Sequence, residues 1–79
     1  MLILMDETIY IVTATGVCID TEVKPFRNPQ QAKKYVNDLK TSYGISEVME
    51  MCTNCWKGYG SNVACDVEIQ IHTEILRAA

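Results

Sequence analysis

Four cysteines hold most of the chemistry this chain can offer, and two of them, Cys52 and Cys55, flank Thr53-Asn54. A tight turn between two thiolates lets both face one metal ion, so Cys52-Thr53-Asn54-Cys55 has the spacing of half a zinc site. A tetrahedral site needs two further ligands, for which Cys18, Cys65 and His72 remain. Cys65 and His72 differ in parity along what reads below as a single strand, so they lie on opposite faces and cannot complete the same site. A lone pair of this kind is a weak metal signal, and the plainer expectation is thiols in and around a small core, with no essential metal and no compulsory disulfide. Disulfide exchange of the thioredoxin type draws on a helix N-terminus to stabilise the attacking thiolate, and Trp56-Lys57-Gly58-Tyr59-Gly60 cannot open a stable helix.

No other motif specifies a reaction. His72 is the one histidine, and no Ser, Cys or acid stands at a spacing that requires it as a base. The glycines of Lys57-Gly58-Tyr59-Gly60 lack the strand-loop-helix context of a phosphate loop. Trp56, Lys57 and Tyr59 together offer two aromatics and a cation, a combination found in protein interfaces and in platforms on which bases stack. Nothing calls for a cofactor, and an enzyme is disfavoured because too few titratable groups converge.

The net charge of −3 argues against general affinity for nucleic acid or for an anionic membrane, since both reward Lys and Arg. The apolar opening Met1-Leu2-Ile3-Leu4-Met5 has no basic flank and stops at Asp6-Glu7, so it reads as neither a signal peptide nor a membrane span. The cytoplasm is the expected compartment, with reduced thiols. At 79 residues the chain is one domain, residues 1 to 79, with a small core.

The elements that must position these residues follow from hydrophobic periodicity. From Val63 to Ile75 the chain alternates without a slip: Val63, Cys65, Val67, Ile69 and Ile71 on one side, Asp66, Glu68, Gln70, His72 and Glu74 on the other, the pattern of a half-buried strand. Thr8 to Val23 reads as a β-hairpin, with Ala14-Thr15-Gly16 as its loop and Ile9, Ile11, Thr13, Val17, Ile19 and Val23 on the core face. Asn28-Pro29-Gln30-Gln31 is a helix start with an Asn cap and Pro in the first turn, and Gly44 is the matching stop. Between them Ala32, Tyr35, Val36, Leu39 and Tyr43 form one apolar stripe. A further strand covers about Ile45 to Met51, and Cys52 to Asn62 is expected as a turn-rich loop.

The resulting order, β-β-α-β-β, belongs to the α+β class: a four-stranded, mainly antiparallel sheet with one helix packed on one face. Placing the first strand between the second and third leaves Val63–Ile75 on an edge. On this layout Asp20, Glu22, Asp66, Glu68 and Glu74 share the outer sheet face, while Arg27, Lys33, Lys34 and Lys40 lie on the helix side.

These features favour a small non-enzymatic protein-binding module, an acidic-faced inhibitor or adaptor that meets a basic surface of a larger protein, such as a nucleic-acid-binding one. Its contacts would be Asp20, Glu22, Asp66, Glu68 and Glu74, with Trp56, Lys57 and Tyr59. Compact chains of this size and charge are frequent among phage and mobile-element proteins that block host machinery, which is analogy only. Two alternatives are a module stabilised by zinc at Cys52 and Cys55, and a small-molecule or nucleotide binder with Trp56 and Tyr59 at its mouth. The exposed edge of Val63–Ile75 and the apolar Met1–Met5 segment also lead to the expectation of a homodimer.

Overall fold

The alternating segment at the end of the chain becomes β5 (Cys65–Leu76), and in the computed structural model, which describes residues 7 to 76, it lies at the centre of the sheet rather than at its edge. The other elements are β1 (Glu7–Thr15), β2 (Glu22–Phe26), α1 (Pro29–Tyr43), β3 (Met49–Cys52) and β4 (Cys55–Gly60). All five strands form one antiparallel sheet in the order β2-β1-β5-β4-β3, with α1 on one face. The α+β class is as expected; the four-strand layout is not. The extra strand is β4, which occupies the stretch expected as a loop.

Antiparallel pairing throughout makes β2 and β3 run the same way at opposite edges, so α1 must carry the chain from one edge to the other. Its 15 residues span about 22 Å at ~1.5 Å per residue, comparable with the ~19 Å width of a sheet whose strands lie ~4.8 Å apart. The Asn28 side chain accepts hydrogen bonds from the backbone N–H of Gln30 at 2.8 Å and of Gln31 at 3.4 Å, satisfying two free donors of the first turn. At the other end Gly44 takes the left-handed conformation, with φ of 73°, and Ile45 N–H reaches back to the Lys40 carbonyl at 2.9 Å. The turn between β4 and β5 supplies further partners. Ser61 Oγ donates to Gly44 O at 3.0 Å and Asn62 Nδ2 to Ser42 O at 2.9 Å.

Val12, Ala14, Ala32, Val36, Leu39, Cys65, Val67 and Ile69 form the buried core, with Ile19, Tyr35, Trp56 and Ile71 among the residues packed against it. The expected core face of β1 is therefore reversed. Ile9 and Ile11 point to the open side and Val12 and Ala14 to the helix. The cause lies in β5: Val12 pairs with Ile71 and Ala14 with Ile69, so the one strand with an unambiguous dry face sets the parity of its neighbour. The hairpin loop is also longer than expected, because Ala14 pairs with Glu22 and the chain makes a separate turn from Gly16 to Ile19.

β4 is a strand in spite of its glycines because the chain must cross it. The link from α1 to β3 passes over the helix side of Gly58, where a Cβ would fall 2.5 Å from Ile45 Cγ2 and 2.6 Å from the Glu47 carbonyl oxygen. Glycine is what that close approach requires. Beyond the last pair with β4, Cys55 opposite Gln70, β5 continues with β1 alone as a two-stranded ribbon at residues 74 to 76 and 7 to 9. Among the described residues no helix is long and apolar enough to cross a membrane. The Met1–Met5 segment lies outside the described residues.

Candidate functional site

Register assigns each candidate residue to a face. Opposite α1, the sheet presents rows of directly paired side chains: Thr15, Glu68, Lys57 and Met49 in one, Thr13, Gln70, Cys55 and Cys52 in the next, with Tyr59 beside Asp66. No element covers this face among the described residues. Lys57 thus lies opposite Glu68 on the neighbouring strand, and the three acids Glu47, Asp66 and Glu68 border a shallow trough.

One part of the trough, about 330 Å³, is bordered by Thr15, Gly16, Val17 and Glu68; the other, about 510 Å³, by Glu47, Val48, Met49, Met51 and Gly58; Lys57 and Asp66 border both. Its rim is apolar and wet. Val17 is 95 % exposed, Met49 69 % and Met51 56 %.

The expected acidic face is divided by the structure. Asp66, Glu68 and Glu74 share the open side, but Glu74 lies eight residues from Asp66 along β5, about 26 Å at ~3.3 Å per residue. Glu22 is opposite Ala14 and so faces the helix side, where its carboxylate helps raise the tyrosines described below. Asp20 lies outside the strands, in the β1–β2 loop. The aromatic trio is split as well. Successive strand residues alternate, so Lys57 and Tyr59 belong to the open face while Trp56 turns to the core beneath Lys40, whose Nζ sits 4.8 Å from the ring centre. Trp56 and Tyr59 therefore cannot form one mouth.

On the helix side Lys24 Nζ lies 5.0 Å from the Tyr35 ring centre and 5.8 Å from that of Phe26. Burial first, and then the Glu22 carboxylate, push the Tyr35 hydroxyl above the ordinary tyrosine range; Tyr43 is raised by the same causes, with Tyr35 adding to them. The sheet's two strand lysines are thus divided, Lys24 on the helix side and Lys57 on the open side among the acids.

The cysteines come in two pairs. Cys52 and Cys55 are direct partners across the β3–β4 ladder, separated by the turn Thr53-Asn54, in which Asn54 has φ of 62°. Cys52 is exposed and Cys55 buried. The hydrogen bond with Cys52 contributes most to raising the Cys55 thiol, followed by burial and the charges of Cys52 and Glu68, while Gln70 acts in the opposite sense. Gln70 Nε2 donates to Glu68 Oε1 at 2.6 Å, and the Cys55 thiol approaches the same oxygen at 4.0 Å. Cys18 and Cys65 form the second pair, exposed and buried, and a hydrogen bond with Cys65 is the main cause that raises the Cys18 thiol.

His72, exposed on the open face, has Nε2 3.3 Å from Thr13 Oγ1. Among the described residues no three His, Cys, Asp or Glu side chains gather in a metal-holding arrangement. The second cysteine pair and the trough were not apparent from sequence. Both arise from strand order, which no local pattern reports. Comparison with protein-family models, with curated proteins and with solved structures finds no match.

Proposed function

We propose that this chain is a non-enzymatic protein-binding module, an inhibitor or adaptor working in the cytoplasm, that docks through the open sheet face onto a basic surface of a larger protein. The observation that supports the reading is the trough itself: the carboxylates of Glu47, Asp66 and Glu68 stand beside an uncovered apolar rim made by Val17, Met49 and Met51, with Tyr59 opposite Asp66 on the neighbouring strand. Interfaces combine an apolar centre with charges that steer encounter, and this face offers both within one patch. Asp20, Glu22, Glu74 and Trp56 fall outside the patch and are not assigned contacts.

The test is capture of partners from cells that produce the protein, using the parent and the Asp66→Lys/Glu68→Lys double variant side by side. Association rates of the recovered partner are then measured at low and high salt. The reading requires recovery by the parent, loss of roughly tenfold or more in association rate for the variant at low salt, and a smaller difference at high salt. Equal rates for the two proteins, at unchanged melting temperature, would remove the acidic residues from the interface.

Self-association is the second reading, and a different observation favours it. From His72 onward β5 has no strand beside it on the β4 side among the described residues, and Ile75 and Leu76 are 58 % and 51 % exposed. A two-stranded ribbon is marginal in water, and a second copy pairing along that edge would supply the missing strand. Ile71 N–H points to the β4 side, at Asn54 O, so by alternation Ile75 N–H points to the same open edge. Sedimentation at micromolar concentration checks it: a dimer in the parent that dissociates with Ile75→Pro supports the reading, and a monomer in the parent ends it.

A further inference from the structure

We propose that Cys52 and Cys55 form a reversible disulfide across the β3–β4 turn, making this hairpin a site of thiol modification by small-molecule disulfides. The inference is independent of the docking role proposed above.

The geometry is that of a closable pair. Cys52 and Cys55 are direct Cα partners on antiparallel strands joined by a two-residue turn. Partners of this kind lie ~4.5–5.5 Å apart at Cα, inside the ~4.4–6.8 Å range that disulfides occupy. Both side chains leave the same face of the hairpin, so neither strand need rotate. A hydrogen bond with Cys52 is the main cause that raises the Cys55 thiol, which places the two sulfurs in mutual reach.

The environments are unequal, and that sets the order of events. Cys52 is exposed on the edge strand, so it meets an oxidant first. Its thiolate attacks one sulfur of a low-molecular-weight disulfide such as glutathione disulfide, forming a mixed disulfide and expelling one glutathione thiolate. Cys55, buried beside Glu68 and Gln70, is the resolving thiol. Once deprotonated it attacks Cys52 Sγ, the Cys52–Cys55 bond forms, and the second glutathione leaves. In sum two protein thiols and one glutathione disulfide become one protein disulfide and two glutathione thiols, the two protein protons passing to the leaving thiolates. The product is neutral.

The ring closed is short, so little chain entropy is removed from the unfolded state and the bond is a switch more than a staple. Its local effect falls on β3. The ladder there is irregular, with Met51 unpaired between the Glu50–Trp56 and Cys52–Cys55 pairs. Oxidation ties down one end of that irregularity, and Met51 is part of the trough rim.

The test uses the full chain, reduced and then equilibrated without oxygen in mixtures of reduced and oxidised glutathione, quenched in acid, alkylated and mapped by peptide mass spectrometry. The proposal requires a Cys52–Cys55 crosslink that grows with the oxidised fraction, persists in a Cys18→Ser variant, and returns to two alkylated thiols with dithiothreitol. Cys52→Ser, an exposed and conservative change, must abolish it, and Cys55→Ser must arrest Cys52 as the glutathione adduct. Alkylation of both Cys52 and Cys55 across the whole series would overturn the proposal. So would a crosslink from Cys52 to Cys18 or to a second chain.

Discussion

Asn62, in the turn between β4 and β5, donates its side-chain amide to the Ser42 carbonyl oxygen at 2.9 Å and so ties the last turn of α1 to a hairpin turn twenty residues further along the chain. The backbone N–H of the same residue donates to Tyr43 O at 3.0 Å. Carbonyls that a helix leaves free at its end are thus satisfied by tertiary structure as well as by the Gly44 cap. The hairpin turn and the helix terminus hold one another in place.

Asn62→Ala removes the side-chain half of that tie. The bond is exposed, so its loss should cost about 0.5–1.5 kcal/mol, and the melting temperature should fall by roughly 4–8 °C per kcal/mol in a domain of this size. Thermal unfolding followed by circular dichroism measures it. A melt superimposable on the parent's would mean that the turn does not brace the helix.

Gly58→Ala separates two opposing effects. In a strand with ordinary backbone angles, alanine in place of glycine stabilises by reducing the freedom of the unfolded chain. Here the added Cβ would lie 2.5 Å from Ile45 Cγ2 and 2.6 Å from Glu47 O, and forcing the crossing segment away should cost about 1–3 kcal/mol. The urea midpoint is therefore expected to drop. A rise would show that the link from α1 to β3 does not press on β4.

Val12→Ala against Ile11→Ala tests the face that β1 buries. Val12 is 0 % exposed within the core, whereas Ile11 stands on the open side opposite His72. Truncating valine removes fewer carbons, yet it should be the more damaging change, at roughly 2 kcal/mol, because it leaves a cavity beneath the helix. Equilibrium unfolding of the two variants would place β1 the other way round if the order were reversed.

Glu22→Gln probes the helix side through its tyrosines. Burial and the Glu22 carboxylate hold the hydroxyls of Tyr35 and Tyr43 above the ordinary value of about 10, so the folded state favours their protonated forms. The linked stability is fully present below the unfolded-state value and is lost as the pH rises through the higher folded values. Ultraviolet titration of phenolate should show late-ionising tyrosines in the parent and an earlier onset in the variant. Identical curves would place Glu22 away from this face.

The helix could be read from sequence almost to the residue, because its signals are local: Asn28 and Pro29 open it, Gly44 closes it, and Ala32, Val36 and Leu39 mark its dry stripe. β5 was equally legible, since Val67 and Ile69 alternate with charged and polar neighbours. β1 was not. It has apolar residues on both faces, Ile9 and Ile11 on one and Val12 and Ala14 on the other, and only its partner decides between them. β4 was hidden because Gly58 and Gly60 resemble a loop until the segment crossing them is known. Asp20, Glu22, Asp66, Glu68 and Glu74 make one acidic group only if their strands present them on a shared face. Glu22 shares a face with Val12 in either register, so the reversal of β1 that β5 imposes carries Glu22 to the helix side of the sheet.

The pairing of β1 with β5 sets the moment at which this fold can form. Glu7 lies opposite Leu76 and Thr15 opposite Glu68, so the longest ladder joins residues separated by more than fifty positions. On a ribosome β1 and β2 emerge early, yet the inner edge of β1 has no partner until β5 has left the exit tunnel several seconds later, at ~5–20 residues per second. The nascent chain meanwhile carries an unpaired strand rich in isoleucine and valine. High contact order of this kind slows folding, so the yield of soluble protein should respond to translation speed and to chaperone supply more than the small size of the domain suggests.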